Sequence, residues 1–101
     1  MSMVTIQFTL NEENINKAGH TVAQVENYLR TFYAKRNAIE IEPLTFQRDD
    51  NRAMCNLGDI LPIMRKDPKF LSFLETCVWN VDGVVENCLK EDKDYIAKHG
   101  Y

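Results

Sequence analysis

Residues 74–89 read LETCVWNVDGVVENCL, and whether they form one helix decides the fold of this chain. Phe70, Leu74, Cys77, Val81, Val84 and Cys88 are spaced four, three, four, three and four, the period of a buried helical stripe, and Leu71, Val78 and Val85 reinforce one side of it. That spacing predicts a helix from Pro68 through Gly83 to about Lys90, although glycine costs about 1 kcal/mol in a helix interior. The alternative is a break at Asp82 and Gly83 that gives two helices.

On the continuous helix, Trp79, the only tryptophan, lies about 180° from Phe70 and Cys88. Glu75, Trp79, Asp82 and Glu86 then repeat at four, three and four, and with Ser72 they form an acidic stripe around an aromatic anchor, opposite the core. Tryptophan is enriched at binding hot spots. Asp82 and Glu86, one turn apart, repel each other, which a basic partner would relieve. The candidate contact residues are therefore Ser72, Glu75, Trp79, Asp82 and Glu86. In the competing reading Trp79 packs beneath the carboxy-terminal tail, against Tyr95 or Ile96, or is core if the helix breaks at Gly83.

Upstream of this stretch, Asp67 as N-cap and Pro68 as first helical residue mark a helix start. Gly58 and Asp59 open a short helix with Pro62 in its first turn, ending near Lys66. At the other end of the chain, Val4, Ile6, Phe8 and Leu10 alternate with Thr5, Gln7 and Thr9, the period of a strand with one buried face. A polar connection, residues 11–20, leads to Thr21 and Gln24, a capping-box pair that starts a helix from about Val22 to Arg36. Val22, Val25, Leu29 and Phe32 form its apolar stripe; Tyr28 and Tyr33 border it, with rings buried and hydroxyls wet.

Ile39 and Ile41, then Leu44 and Phe46, return to strand character, and the parity of apolar positions changes across Pro43, which points to an edge or a bulge. Asp49, Asp50 and Asn51 are turn-prone and suggest a hairpin from about Leu44 to Leu57, while Met54 and Leu57 also fit a helical start. The expected order is β-α-β-β-α-α. This is an α+β fold with a small antiparallel or mixed sheet of about three strands against three helices, in a single domain over residues 1–101.

A chain of 101 residues buries roughly 60 to 70% of its unfolded surface. Its apolar content of 45% is too high for disorder. The apolar runs are too short for a membrane span, and the amino terminus lacks the pattern of a signal peptide. Three cysteines with no CxxC pair fit a reducing cytoplasm. A net charge of -3 argues against direct nucleic-acid binding.

Catalytic signatures are not evident. On one helix Cys77 and Cys88 would stand about 16 Å apart, too far to share a zinc ion, and His20 and His99 lack ligands at a familiar spacing. Gly19, Gly58, Gly83 and Gly100 stand singly, without a phosphate loop. Cys55 with His20 or His99 is a chance pairing. Glu40 and Glu42 would share one side of a strand near Asp49, Asp50 or Asp59, the raw material of a metal-dependent enzyme, or a solvated face. The expectation is a non-enzymatic interaction protein with no cofactor, metal or catalytic residue: an acidic inhibitor or adaptor of the kind common among phage and mobile-element products. Its partner would be a basic, nucleic-acid-handling protein. The alternatives are a homodimeric structural or regulatory protein and the small carboxylate enzyme.

Overall fold

The computed structural model describes residues 2–50 and 52–87. Strand β1 (Ser2–Leu10) is followed by helices α1 (Glu12–Lys17) and α2 (Val22–Ala34), strands β2 (Ile39–Glu42) and β3 (Thr45–Asp50), and helices α3 (Ala53–Leu57), α4 (Ile60–Lys66) and α5 (Pro68–Ser72). Strands β4 (Leu74–Val81) and β5 (Val84–Asn87) complete the fold. The sheet is antiparallel and five-stranded, ordered β2-β3-β1-β4-β5. The α+β class is as expected. The sheet is larger than the three strands anticipated, because residues 74–87 form a hairpin and not a helix.

The reason lies at Asp82 and Gly83. Both have positive φ, 51° and 91°, and they link the paired residues Val81 and Val84, as a two-residue type I′ turn requires. Asp82 Oδ1 accepts the Met3 N–H at 3.0 Å, the Asp82 N–H donates to the Met3 carbonyl at 3.0 Å, and the Gly83 N–H donates to Asn80 Oδ1 at 2.9 Å. Phe8, Ile6 and Val4 of β1 face Cys77, Trp79 and Val81 of β4, a period of two. Val78, Val84 and Val85, assigned to the core by the helical period, are half-buried or exposed. Valines on both faces of the hairpin imitate the helical spacing.

Other expectations meet the same local physics. Thr21 Oγ1 accepts the Gln24 N–H and Gln24 Oε1 accepts the Thr21 N–H, closing the predicted capping box of α2. The polar connection holds an unforeseen helix, α1, capped by Asn11 Oδ1 on the Asn14 N–H at 3.0 Å. The hairpin placed at residues 44–57 is absent: β3 ends at Asp50 and α3 follows, while β3 pairs with β2 and β1. Pro43 and Leu44 make the β2–β3 turn, with Leu44 at φ 55°. The predicted turn around Tyr95 and Ile96, like Cys88 and His99, lies outside the described residues.

The helices cover one face of the sheet, and Tyr33 of α2 sits at the centre of that layer, fully buried. Its ring stacks on Phe46 at 4.6 Å and lies 6.0 Å from Phe8. Its hydroxyl donates to the Leu57 carbonyl at 2.9 Å, so this border tyrosine is dry, contrary to expectation. On the opposite face Met3, Gln7 and Thr9 are exposed, with Thr5, Gln47, Val78 and Asn80 half-buried among them. The two faces of the slab therefore differ in chemistry, one packed with aromatic rings and one lined with amides, hydroxyls and a few aliphatic groups.

Candidate functional site: an aromatic cleft on the helical layer

The residues expected to share one helical stripe are separated by the hairpin. Trp79 is only 8% exposed and faces Ile6 of β1 on one side and Glu86 of β5 on the other. Glu75 is the extra residue of a bulge at one end of β4 and accepts a hydrogen bond from Asn11 Nδ2 at 3.1 Å. Asp82 is engaged in the turn at the other end. Ser72 closes α5, its hydroxyl donating to the Lys69 carbonyl. An exposed tryptophan anchor ringed by acids is not what these residues build.

The carboxylates of β2 are separated as well. Glu40 pairs with Phe46, and Glu42 with Thr45, across a register shift. Adjacent residues of β3 point to opposite faces, so the bulge sends the two glutamates to opposite sides of the sheet. Glu40 lies on the helical side, where Arg30 of α2 donates to it at 3.0 Å and the Leu44 N–H donates to Oε2 at 2.9 Å. Partial burial pushes its carboxyl up, but the Leu44 N–H and the Arg30 guanidinium outweigh that and hold it below the usual glutamate range. Asp50 is held low chiefly by the hydrogen bond from Arg48, at 2.8 Å. Asp59 pairs with Arg36 at 3.0 Å. Among the described residues no three of histidine, cysteine, aspartate and glutamate gather where they could hold a metal ion.

What the helices build is a cleft of about 320 Å³ between α2, the end of α4 and α5. Gln24, Val25 and Tyr28 of α2 form one wall; Ile63, Lys69, Phe70 and Phe73 form the other, and His20 stands at the mouth. Local sequence creates the second wall. Asp67, at φ -125° and ψ 88°, ends α4 and caps α5 through a hydrogen bond from the Phe70 N–H at 3.1 Å, and Pro68 starts the new helix. The change of direction turns Phe70 and Phe73, three residues apart, toward the mouth. The ring centres of Phe70 and Tyr28 lie 5.4 Å apart, and those of Phe73 and His20 5.7 Å apart. Both pairs have the edge-to-face geometry favoured by aromatic quadrupoles.

Tyr28 and Gln24 also wall a second groove along the outside of α2, with Asn27, Thr31, Phe32, Lys35 and Arg36. The Arg36 guanidinium carbon lies 3.7 Å from the centre of the Phe32 ring, a cation–π contact. The two grooves thus meet at a 43% exposed tyrosine. The arrangement offers apolar surface, ring edges and a few cations. It sets no nucleophile against a base, and Cys55, the described exposed thiol, stands on α3.

Tyr28 was legible in the sequence only as a border residue, since the cleft depends on α5 approaching α2 from about forty positions away. The Asp67-Pro68 start signal and the paired phenylalanines behind it were the available clue. No helix among the described residues is long and apolar enough to cross a membrane. The chain matches no family model, no curated protein and no solved structure.

Proposed function

We propose that this chain is a protein-interaction module that performs no catalysis of its own, and that it engages its partner through the cleft between α2 and α5. The observation that carries the reading is Tyr28: a large amphipathic ring, 43% exposed, braced edge-on by Phe70 and standing between two grooves. A rigid tyrosine that loses little side-chain entropy on contact is the type of residue that dominates binding energy. An inhibitor or adaptor role remains compatible with this face. The expectation of a basic partner draws on the net charge of -3 and on an acidic helical stripe, and the hairpin separates Glu75, Asp82 and Glu86 along its length.

Self-association is the second reading. It is favoured by β5, an edge strand on which Val84 and Val85 are both more than 60% exposed. A photo-crosslinking amino acid placed separately at positions 28, 84 and 9 in the producing cell tests both readings. The proposal expects a heterologous adduct from position 28 and none from position 9 on the bare sheet face. Adducts with a second copy from position 84 would favour the dimer. Labelling from position 9 but not from 28 would overturn the cleft assignment.

A further inference from the structure

Resting on the interaction reading above, we infer that the occupant of the cleft is an acidic segment of another protein, carrying one aromatic or large apolar side chain as its anchor. The inference comes from the charges along the path of the two grooves. Their lining holds Lys69 at the cleft end, Lys35 and Arg36 at the far end of α2, and a single carboxylate, Asp67. Asp67 caps α5 and keeps its charge, and Arg36 is paired with Asp59, so the lining still carries more cations than carboxylates. Lys35 and Lys69 are exposed and form no ion pair among the described residues.

An acidic chain of net charge -3 therefore presents, along these two grooves, two ammonium groups that form no ion pair among the described residues, on either side of a tyrosine. The ring pocket formed by Tyr28, Phe70 and Phe73 suits an apolar anchor, while the lysines suit carboxylates before and after it. Complementary charge of this kind steers encounter and fixes direction more than it adds affinity. A basic segment would place like charges against Lys35 and Lys69, so the site selects against the partner expected from the sequence. Single-stranded nucleic acid is the weaker fit, because Lys35 and Lys69 would neutralise few phosphates and the net charge opposes the rest.

The test uses fluorescence anisotropy with the full chain and four labelled probes: a seven-residue peptide of aspartate and glutamate with a central phenylalanine, the same peptide with central alanine, its lysine counterpart with central phenylalanine, and a ten-nucleotide thymidine strand. The expected result is that the acidic phenylalanine peptide binds at least fivefold tighter than the other three and weakens as salt rises. Tyr28→Ala should weaken it at least fivefold. The exposed double change Lys35→Glu with Lys69→Glu should reverse the preference toward the lysine peptide, with circular dichroism confirming that both variants are folded. Tighter binding of the lysine peptide that still depends on Tyr28 would overturn the acidic occupant and leave the contact face standing. Preference for the thymidine strand, or binding of any probe unaffected by Tyr28→Ala, would overturn this inference. If no probe binds at millimolar concentration the inference falls, while the crosslinks from position 28 judge the contact face independently.

Discussion

Substituting Gly83 by alanine has opposite consequences in the two conformations that residues 74–87 could adopt. In a helix interior the change would stabilise the chain by about 1 kcal/mol. In the observed hairpin Gly83 has φ 91°, and a Cβ built there meets no heavy atom within 4 Å. The cost is therefore purely conformational, about 1–2 kcal/mol for holding an L-residue in left-handed backbone, partly offset by the stiffer unfolded chain. A net loss of about 1 kcal/mol is expected, which at an m-value of about 1–3 kcal/mol/M lowers the urea midpoint by roughly 0.3–1 M. Gly83→Asn should lose less than half as much, since asparagine tolerates positive φ. Trp79, buried on the same hairpin, reports the transition by fluorescence. A raised midpoint for Gly83→Ala, or equal losses for alanine and asparagine, would refute the turn-based reasoning.

Three further outcomes follow from the packing and the ion pairs. Tyr33→Phe removes the donor to the Leu57 carbonyl and leaves a buried acceptor short of a partner, so it should cost about 1–2 kcal/mol in urea denaturation. Trp79 emission should be blue-shifted and poorly quenched by acrylamide in the folded chain, shifting red on unfolding; an exposed-indole spectrum would contradict its burial. Glu40 has its carboxyl held below the ordinary value of 4.5, so its ionised form contributes stability that is complete above that value and is lost as pH falls through the lowered one. The acid limb of a pH–stability curve should accordingly be shallower in Glu40→Gln than in the parent, compared at about pH 6 and about pH 3.

The parts of the fold that could be read in the sequence are those whose cause is local. Alternation identifies β1, the Thr21 and Gln24 exchange opens α2, and Asp67-Pro68 separates α4 from α5. The hairpin of β4 and β5 was misread because Val78, Val84 and Val85 are apolar without being buried, so the burial period of two is overlaid by a false one near 3.5. The Asp-Gly pair was visible, and its preference for positive φ was the stronger signal. Bulges at Glu75 and between Glu40 and Glu42 shift face assignments in a way that no periodicity reveals, since a one-residue slip inverts every later side chain. The cleft was beyond reach for a different reason: it is a property of the distance between α2 and α5, not of either alone.

The central place of β1 has a consequence for how the chain is made. Ile6 pairs with Phe46, 40 residues later (46 − 6), and with Trp79, 73 residues later (79 − 6). At synthesis rates of 5–20 residues per second, β1 waits roughly 4 to 15 s for its second neighbour to be translated. The hairpins β2–β3 and β4–β5 can close by themselves, whereas Val4, Ile6 and Phe8 cannot be enclosed until both are present. Strand β1 thus stays open on one edge from its own synthesis until β4 is made, and the nascent chain carries an unsatisfied apolar ribbon through that interval. Holdase chaperones that favour such ribbons would meet this protein at β1, and a slow decoding stretch before β4 would lengthen that exposure.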